Sequence, residues 1–138
     1  MAKLTEQDIL QWNGPEDDYM NADHLAFFRE LLVNLQDELI DKATDTAGHL
    51  QEQDATPDPA DRATLEEEYA LELRTRDRER KLLSKIQASL RQIDEGEYGF
   101  CLDTGEPIGL KRLLARPTAT LSVEAQERRE QMKKQFAD

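Results

Sequence analysis

Cys101 opens the stretch "CLDTGEP", with Thr104 three residues on, and Ser122 and Ala125 repeat that spacing about twenty residues later. An aromatic, a cysteine, two spacers and a turn glycine make the layout of half a zinc ribbon. A structural zinc of that type takes four cysteine or histidine ligands in a tetrahedron, usually two from each of two turns. The four positions here offer one thiol, two hydroxyls and a methyl. Cys101 is the only cysteine, and the two histidines, His24 and His49, stand far upstream and apart, so they cannot complete a set. No metal is expected. Cys101 reads instead as a small buried hydrophobe. The surrounding head must then be held by apolar side chains, for which Tyr98, Phe100, Leu102, Ile108, Leu110, Leu113, Leu114, Leu121 and Phe136 are available. Each contributes roughly 1.5–3 kcal/mol when buried.

Two other clusters carry charge where chemistry would use it. "DPADRA" holds Asp58 and Asp61, and a helix beginning at Pro59 would favour both as a cap and a first-turn acid. "RTRDRERK", residues 74 to 81, sets five basic side chains against two acidic ones in a chain of net charge −12. It reads either as a solvated face with arginine stems lying over the seam or as a docking patch. "EEEYALE" is an acidic helix face. No nucleophile–base constellation and no phosphate-cradling glycine loop is present, so the chain is not expected to be an enzyme.

The elements that position these residues follow from periodicity. Asn21 is a good N-cap, and Leu25, Phe28, Leu32, Leu35 and Leu39 repeat at the 3,4 spacing of a coiled-coil seam. The seam thins to Ala43, Ala47 and Leu50, which bury less area. Pro57 and Pro59 end that helix, and Asp58 and Pro59 open another that runs to about Glu95, with Gly96 as its stop. Its seam is Leu65, Tyr69, Leu73, Leu83, Ile86, Leu90 and Ile93. Two helices joined by a short loop return antiparallel, each on the order of 45–55 Å long. "YGFCLDTGEPIGL" reads as two short extended pieces around an Asp-Thr-Gly turn, "LARPTATLS" as a loop, and Ser122 as the cap of a last helix.

The expected architecture is mainly α: a leader over residues 1–20 packing near the base, and a coiled-coil hairpin over 21–95 with its tip at about 54–61. A small zinc-ribbon-like head lacking the metal ligands covers 96–121, and a C-terminal helix covers 122–138. The charged fraction of 35% suits long solvated helices, and the net acidity argues against general nucleic-acid binding. A basic protein surface is the better partner. No signal peptide and no run of about 18 apolar residues stands out, so a cytoplasmic, membrane-free protein is expected. The interrupted seam favours an intramolecular hairpin, hence a monomer, over a dimeric coiled-coil adaptor.

Three segments carry a resemblance: "YMNADHLAFFRELL", "DPADRATLEEEYALELRTRDRERKLLSKI" and "EYGFCLDTGEPIGLKRLLARPTA". From Tyr19 onward the chain resembles the DksA family of bacterial transcription factors, and it looks most like the zinc-independent second paralogue. The resemblance implies a hairpin that enters the secondary channel of RNA polymerase and destabilises open promoter complexes. With the co-regulator ppGpp it would inhibit ribosomal RNA promoters and activate some biosynthetic promoters in the stringent response, without sequence-specific DNA binding. It assigns the tip to Asp58, Asp61 and Ala63, and polymerase docking to Arg74, Arg78 and Lys81. It assigns the ppGpp contact, shared with polymerase, to Leu82, Lys85 and Arg116. The degenerate ligand positions are Cys101, Thr104, Ser122 and Ala125. Gln126 stands where the zinc form has a basic lysine, which weakens the expected ppGpp contact. The alternative is a Gre-like transcript-cleavage factor; Gre factors carry an N-terminal arm before a globular domain, whereas here the hairpin precedes a zinc-ribbon-like head and "DPADRA" is the DksA type of motif.

Overall fold

The computed structural model describes residues 3–52 and 58–137, with side chains from 3–44 and 58–136. In order come α1 (Glu6–Gln11), a 3-10 turn (Glu16–Asp18), α2 (Ala22–Glu52), α3 (Pro59–Glu95), α4 (Leu110–Ala115) and α5 (Val123–Ala137). The chain is mainly helical, with no strand among the described residues. Backbone packing divides it into two compact units, residues 1–32 with 88–138, and residues 33–87.

The long helices begin where their caps are. The Asn21 side chain accepts from the His24 N–H at 2.9 Å, and the Asn21 carbonyl accepts from Leu25 at 3.0 Å. The Asp58 carboxylate accepts from the Asp61 N–H at 2.9 Å, which places Pro59 at the first helical position, where its missing N–H costs nothing. α3 stops at Glu95 because Gly96 takes a φ of 76°, a conformation that closes the last turn. The predicted tip lies partly outside the described residues, over 54–57.

In the first unit Phe28, Leu32 and Leu113 are fully buried, and Ile9, Ile93, Tyr98 and Leu121 nearly so. The Phe28 and Tyr98 rings sit 5.7 Å apart, and Arg29 pairs with Asp94, so the start of α2 lies beside the end of α3. In the second unit Ile86 is buried, whereas Tyr69 and Leu73 are 43% and 42% exposed. Seam spacing alone therefore does not bury them, and of the seam residues on the thin end of α2 only Ala43 has a described side chain. Ala47 and Leu50, on the rest of that thin end, lie outside the residues with described side chains.

Two expectations about the head need correction. Phe136 is 83% exposed and Leu102 62% exposed, so neither belongs to the core. Phe136 is the last residue but one of α5, which no element covers there among the described residues, and Leu102 sits in the turn with its N–H bonded to the Thr120 carbonyl. "LARPTATLS" is not wholly a loop either, since α4 runs through Ala115. The leader also folds further than expected. α1 has a capping box in which the Asp8 N–H donates to the Thr5 hydroxyl at 3.2 Å and the Thr5 N–H donates to Asp8 at 2.9 Å. One buried residue, Ile9, is too little periodicity to reveal a six-residue helix in advance.

Candidate functional site

At the N-terminus of α3 the two aspartates separate by role. Asp58 uses its side chain and its carbonyl on the helix, the latter accepting from Arg62 at 2.8 Å. Asp61 stands three residues in, exposed, and its carboxylate has no hydrogen bond or ion pair among the described residues. Its backbone is fixed by the cap, while its charge favours the positive end of the helix dipole. Ala63 is exposed in the next positions. The result is a rigid first turn that offers one uncommitted carboxylate.

Further along α3, Arg74, Arg78, Lys81 and Lys85 recur at intervals of four, three and four residues, which puts them on one helix face. All are exposed, and none forms an ion pair among the described residues. Arg80 lies 3.9 Å from Asp77, an exposed contact worth close to nothing, and Arg76 is half-buried. Leu82 is 41% exposed beside this stripe, and Leu71, 58% exposed, belongs to it. Leu71 was missed in the sequence because it falls off the seam. An apolar residue out of register, one turn before a run of free cations, is the signal that would have found it. Arg116 is exposed at the C-cap of α4, in the first unit. Gln126 donates to Glu130 at 3.2 Å along α5.

The ribbon-like head keeps the backbone of a ligand turn. Phe100 bridges Pro107, the Cys101 N–H donates to the Glu106 carbonyl at 2.8 Å, and Gly105 returns to the Cys101 carbonyl at 2.8 Å. Two tyrosines hold it from outside. The Tyr19 hydroxyl donates to the Gly99 carbonyl at 2.7 Å and accepts from the Gly109 N–H at 2.9 Å, and Tyr98 donates to the Pro117 carbonyl at 2.7 Å. Arg129 of α5 clamps Asp103 with two hydrogen bonds. Cys101 is buried against Leu121 and Ala125, with Ile108 beside them.

The donor set does not fit a structural zinc. Among the described residues no group of three metal-ligating side chains comes together, and a methyl, Ala125, closes the fourth position. The thiol is instead tuned by hydrogen bonds. Burial pushes its pKa up, but the Thr104 hydroxyl and the N–H groups of Ser122, Thr104 and Asp103 outweigh this and bring it to about 6, from 9. The native state therefore releases the proton before the unfolded chain does, so this group's stabilisation grows as pH rises from about 6 and is complete above 9, and it is lost as pH falls through about 6. Thiolate absorbance near 240 nm should accordingly appear with a midpoint near 6 in the folded protein and near 9 in denaturant.

The family model described as "DnaK suppressor protein DksA, N-terminal domain" matches residues 24–93, half of the chain. The chain belongs to the DksA family. A second model, the prokaryotic dksA/traR C4-type zinc finger, matches residues 96–131, the segment whose ligand turn persists without the ligand set. An RNA polymerase-binding transcription factor DksA of Caulobacter vibrioides is 50% identical over 89% of this chain and 87% of its own. The DksA of Escherichia coli K12 is 44% identical over 89% of this chain and 82% of its own. The solved structure of transcription factor DksA2 from Pseudomonas aeruginosa superposes with a TM-score of 0.83 at 42% identity, covering 93% of this chain and 97% of that one. The DksA relatives are named transcription factors rather than enzymes, and nothing on the chain favours a Gre-like factor.

Proposed function

We propose that this chain is a zinc-independent DksA paralogue that enters the secondary channel of RNA polymerase, destabilises open promoter complexes, and acts with ppGpp. The observation that carries this reading is the division of labour at the start of α3. Asp58 spends its carboxylate on the cap, which leaves that of Asp61 oriented and free for the polymerase. In this reading Asp58, Asp61 and Ala63 form the acting end, Arg74, Arg78 and Lys81 dock on an acidic surface of the enzyme, and Leu82, Lys85 and Arg116 meet ppGpp. The free cationic stripe supports the docking role, since no intramolecular pair has to be broken before polymerase binds. Zinc independence is supported by the donor set and by the tyrosine ties, which span the turn that four thiolates would otherwise close. The regulator would be cytoplasmic and monomeric, inhibiting ribosomal RNA promoters and activating some biosynthetic ones.

The test is run-off transcription from a ribosomal RNA promoter with protein treated exhaustively with a chelator. Inhibition is expected at the same protein concentration before and after treatment. A loss restored by adding Zn²⁺ would reject zinc independence, and no inhibition under either condition would reject the regulator itself.

A further inference from the structure

The leader and the head border a cavity of about 480 Å³ that the polymerase reading leaves unused. Its walls come from α1, from the turn at Ile108 and from α4, all within the first unit. Trp12, Ile108 and Leu110 make an apolar lining, with buried Ile9 behind them. None of Leu82, Lys85 and Arg116 lines it. A concave, mostly apolar site of this size is what a small organic molecule fills.

Contacts that no ligand has to supply hold the walls in place. A Cβ on Gly14 would fall 2.9 Å from the Trp12 indole, so the bare backbone of Gly14 lies directly on that ring. The same indole meets the buried His24 ring edge to face, at a centroid distance of 5.0 Å. Beside Ile108, the Tyr19 hydroxyl ties the Gly99 carbonyl to the Gly109 N–H, and the Ile108 N–H donates to the same carbonyl at 2.8 Å. A cavity with walls already fixed binds with little ordering cost.

One charged group at this cavity lacks the partner that burial demands. The Nε of Arg112 is buried and has no hydrogen bond among the described residues. A buried donor left unpaired is costly, and an arriving acceptor recovers that cost. The guanidinium presents its N–H donors as a fixed fork, which a carboxylate matches with two parallel bonds. Lys111 and Arg112 against Glu16 leave the lining a single net positive charge. A monoanion balances it, whereas a polyphosphate would press several charges against a mostly apolar wall. We propose that this cavity binds a small monocarboxylate with an apolar body, its carboxylate on Arg112 and its body against Trp12 and Ile108. Such a ligand touches both α1 and α4, which pack on each other, and so fastens the leader to the head.

The probe is 3-phenylpropanoate, compared with its neutral isostere 3-phenylpropanamide, added to the whole protein at about pH 7.5, where the carboxylate is ionised. Emission of Trp12, the single tryptophan, reports binding. The expected result with the acid is a saturable change in emission and a raised melting temperature. The amide should bind about tenfold or more weakly. Arg112→Met keeps an apolar stem, so it should weaken the acid by the same factor and leave the amide unchanged. Lys111→Gln, at an exposed position, should keep the preference for the acid. No saturable change below about 10 mM, the range in which a ligand of this size binds, overturns the proposal. Equal affinity for acid and amide does so too, as does undiminished affinity of Arg112→Met for the acid. Should Arg112→Met fail to fold, the comparison of acid and amide on wild type and Lys111→Gln decides alone.

Discussion

Asp61→Asn is expected to weaken inhibition of a ribosomal RNA promoter by about tenfold or more while leaving the protein folded. The structure makes this a clean substitution. The N–H of residue 61 is capped by Asp58 whatever side chain it carries, and the carboxylate of Asp61 contacts nothing else among the described residues. What folding loses is the favourable placement of one charge in the first turn, about 0.3–1 kcal/mol at an exposed site. A hydrogen bond to a charged group is worth more when it forms in a desolvated complex, so the concentration for half-inhibition should rise by about tenfold or more, a step of roughly 1.4 kcal/mol in binding or action. Asp58→Ala makes the opposite trade, because it removes the cap at a cost of about 1 kcal/mol to the helix start. Helix melting by circular dichroism, binding by competition and run-off transcription separate the two cases. Equal inhibition by wild type and Asp61→Asn would remove the tip from the mechanism and leave Asp61 as a first-turn acid only.

Phe28→Ala should produce the largest loss of stability. The ring is fully buried, packs against Tyr98 at 5.7 Å and Phe27 at 5.2 Å, and sits where α2, α3 and the head share one core. Truncating such a ring costs about 3–5 kcal/mol, through lost burial and the cavity left behind. Phe136→Ala is the control of identical chemistry. At 83% exposure it should change stability by less than about 0.5 kcal/mol. Urea unfolding of the two variants beside wild type reads the difference directly. A large effect at Phe136 would mean that the end of α5 is covered in solution, against the exposure seen here.

The long helices were legible because their signals are local. Asn21, Asp58, Pro59, Gly96 and Ser122 act within a turn of where they stand, and the structure begins or ends a helix at each. The lost ligand set was legible for the same reason, since donor chemistry is a property of side-chain type. Burial was less so. Phe136 and Phe28 are the same residue in comparable helical patterns, and only the presence of facing surface distinguishes them. Tyr69 and Leu73 have the seam spacing without the cover. α1 and α4, six residues each, are too short to show a period, and they hold their shape because they pack on each other.

Sequence alone thus determined where α2, α3 and α5 begin and where α3 ends, the absence of a four-ligand cysteine–histidine set and the positions of the acidic and basic motifs, all of which depend on residue type and short-range spacing. The cap at Asp58 and the first-turn place of Asp61 were equally local, and the structure shows both; tertiary structure decided what no short-range pattern carries. It decided that Tyr19, eighty residues from Gly99, fastens the head, that His24 is buried against Trp12, and that Cys101 lies in a nest of N–H groups. Those are contacts between distant segments, and no local preference encodes a partner that only folding brings near.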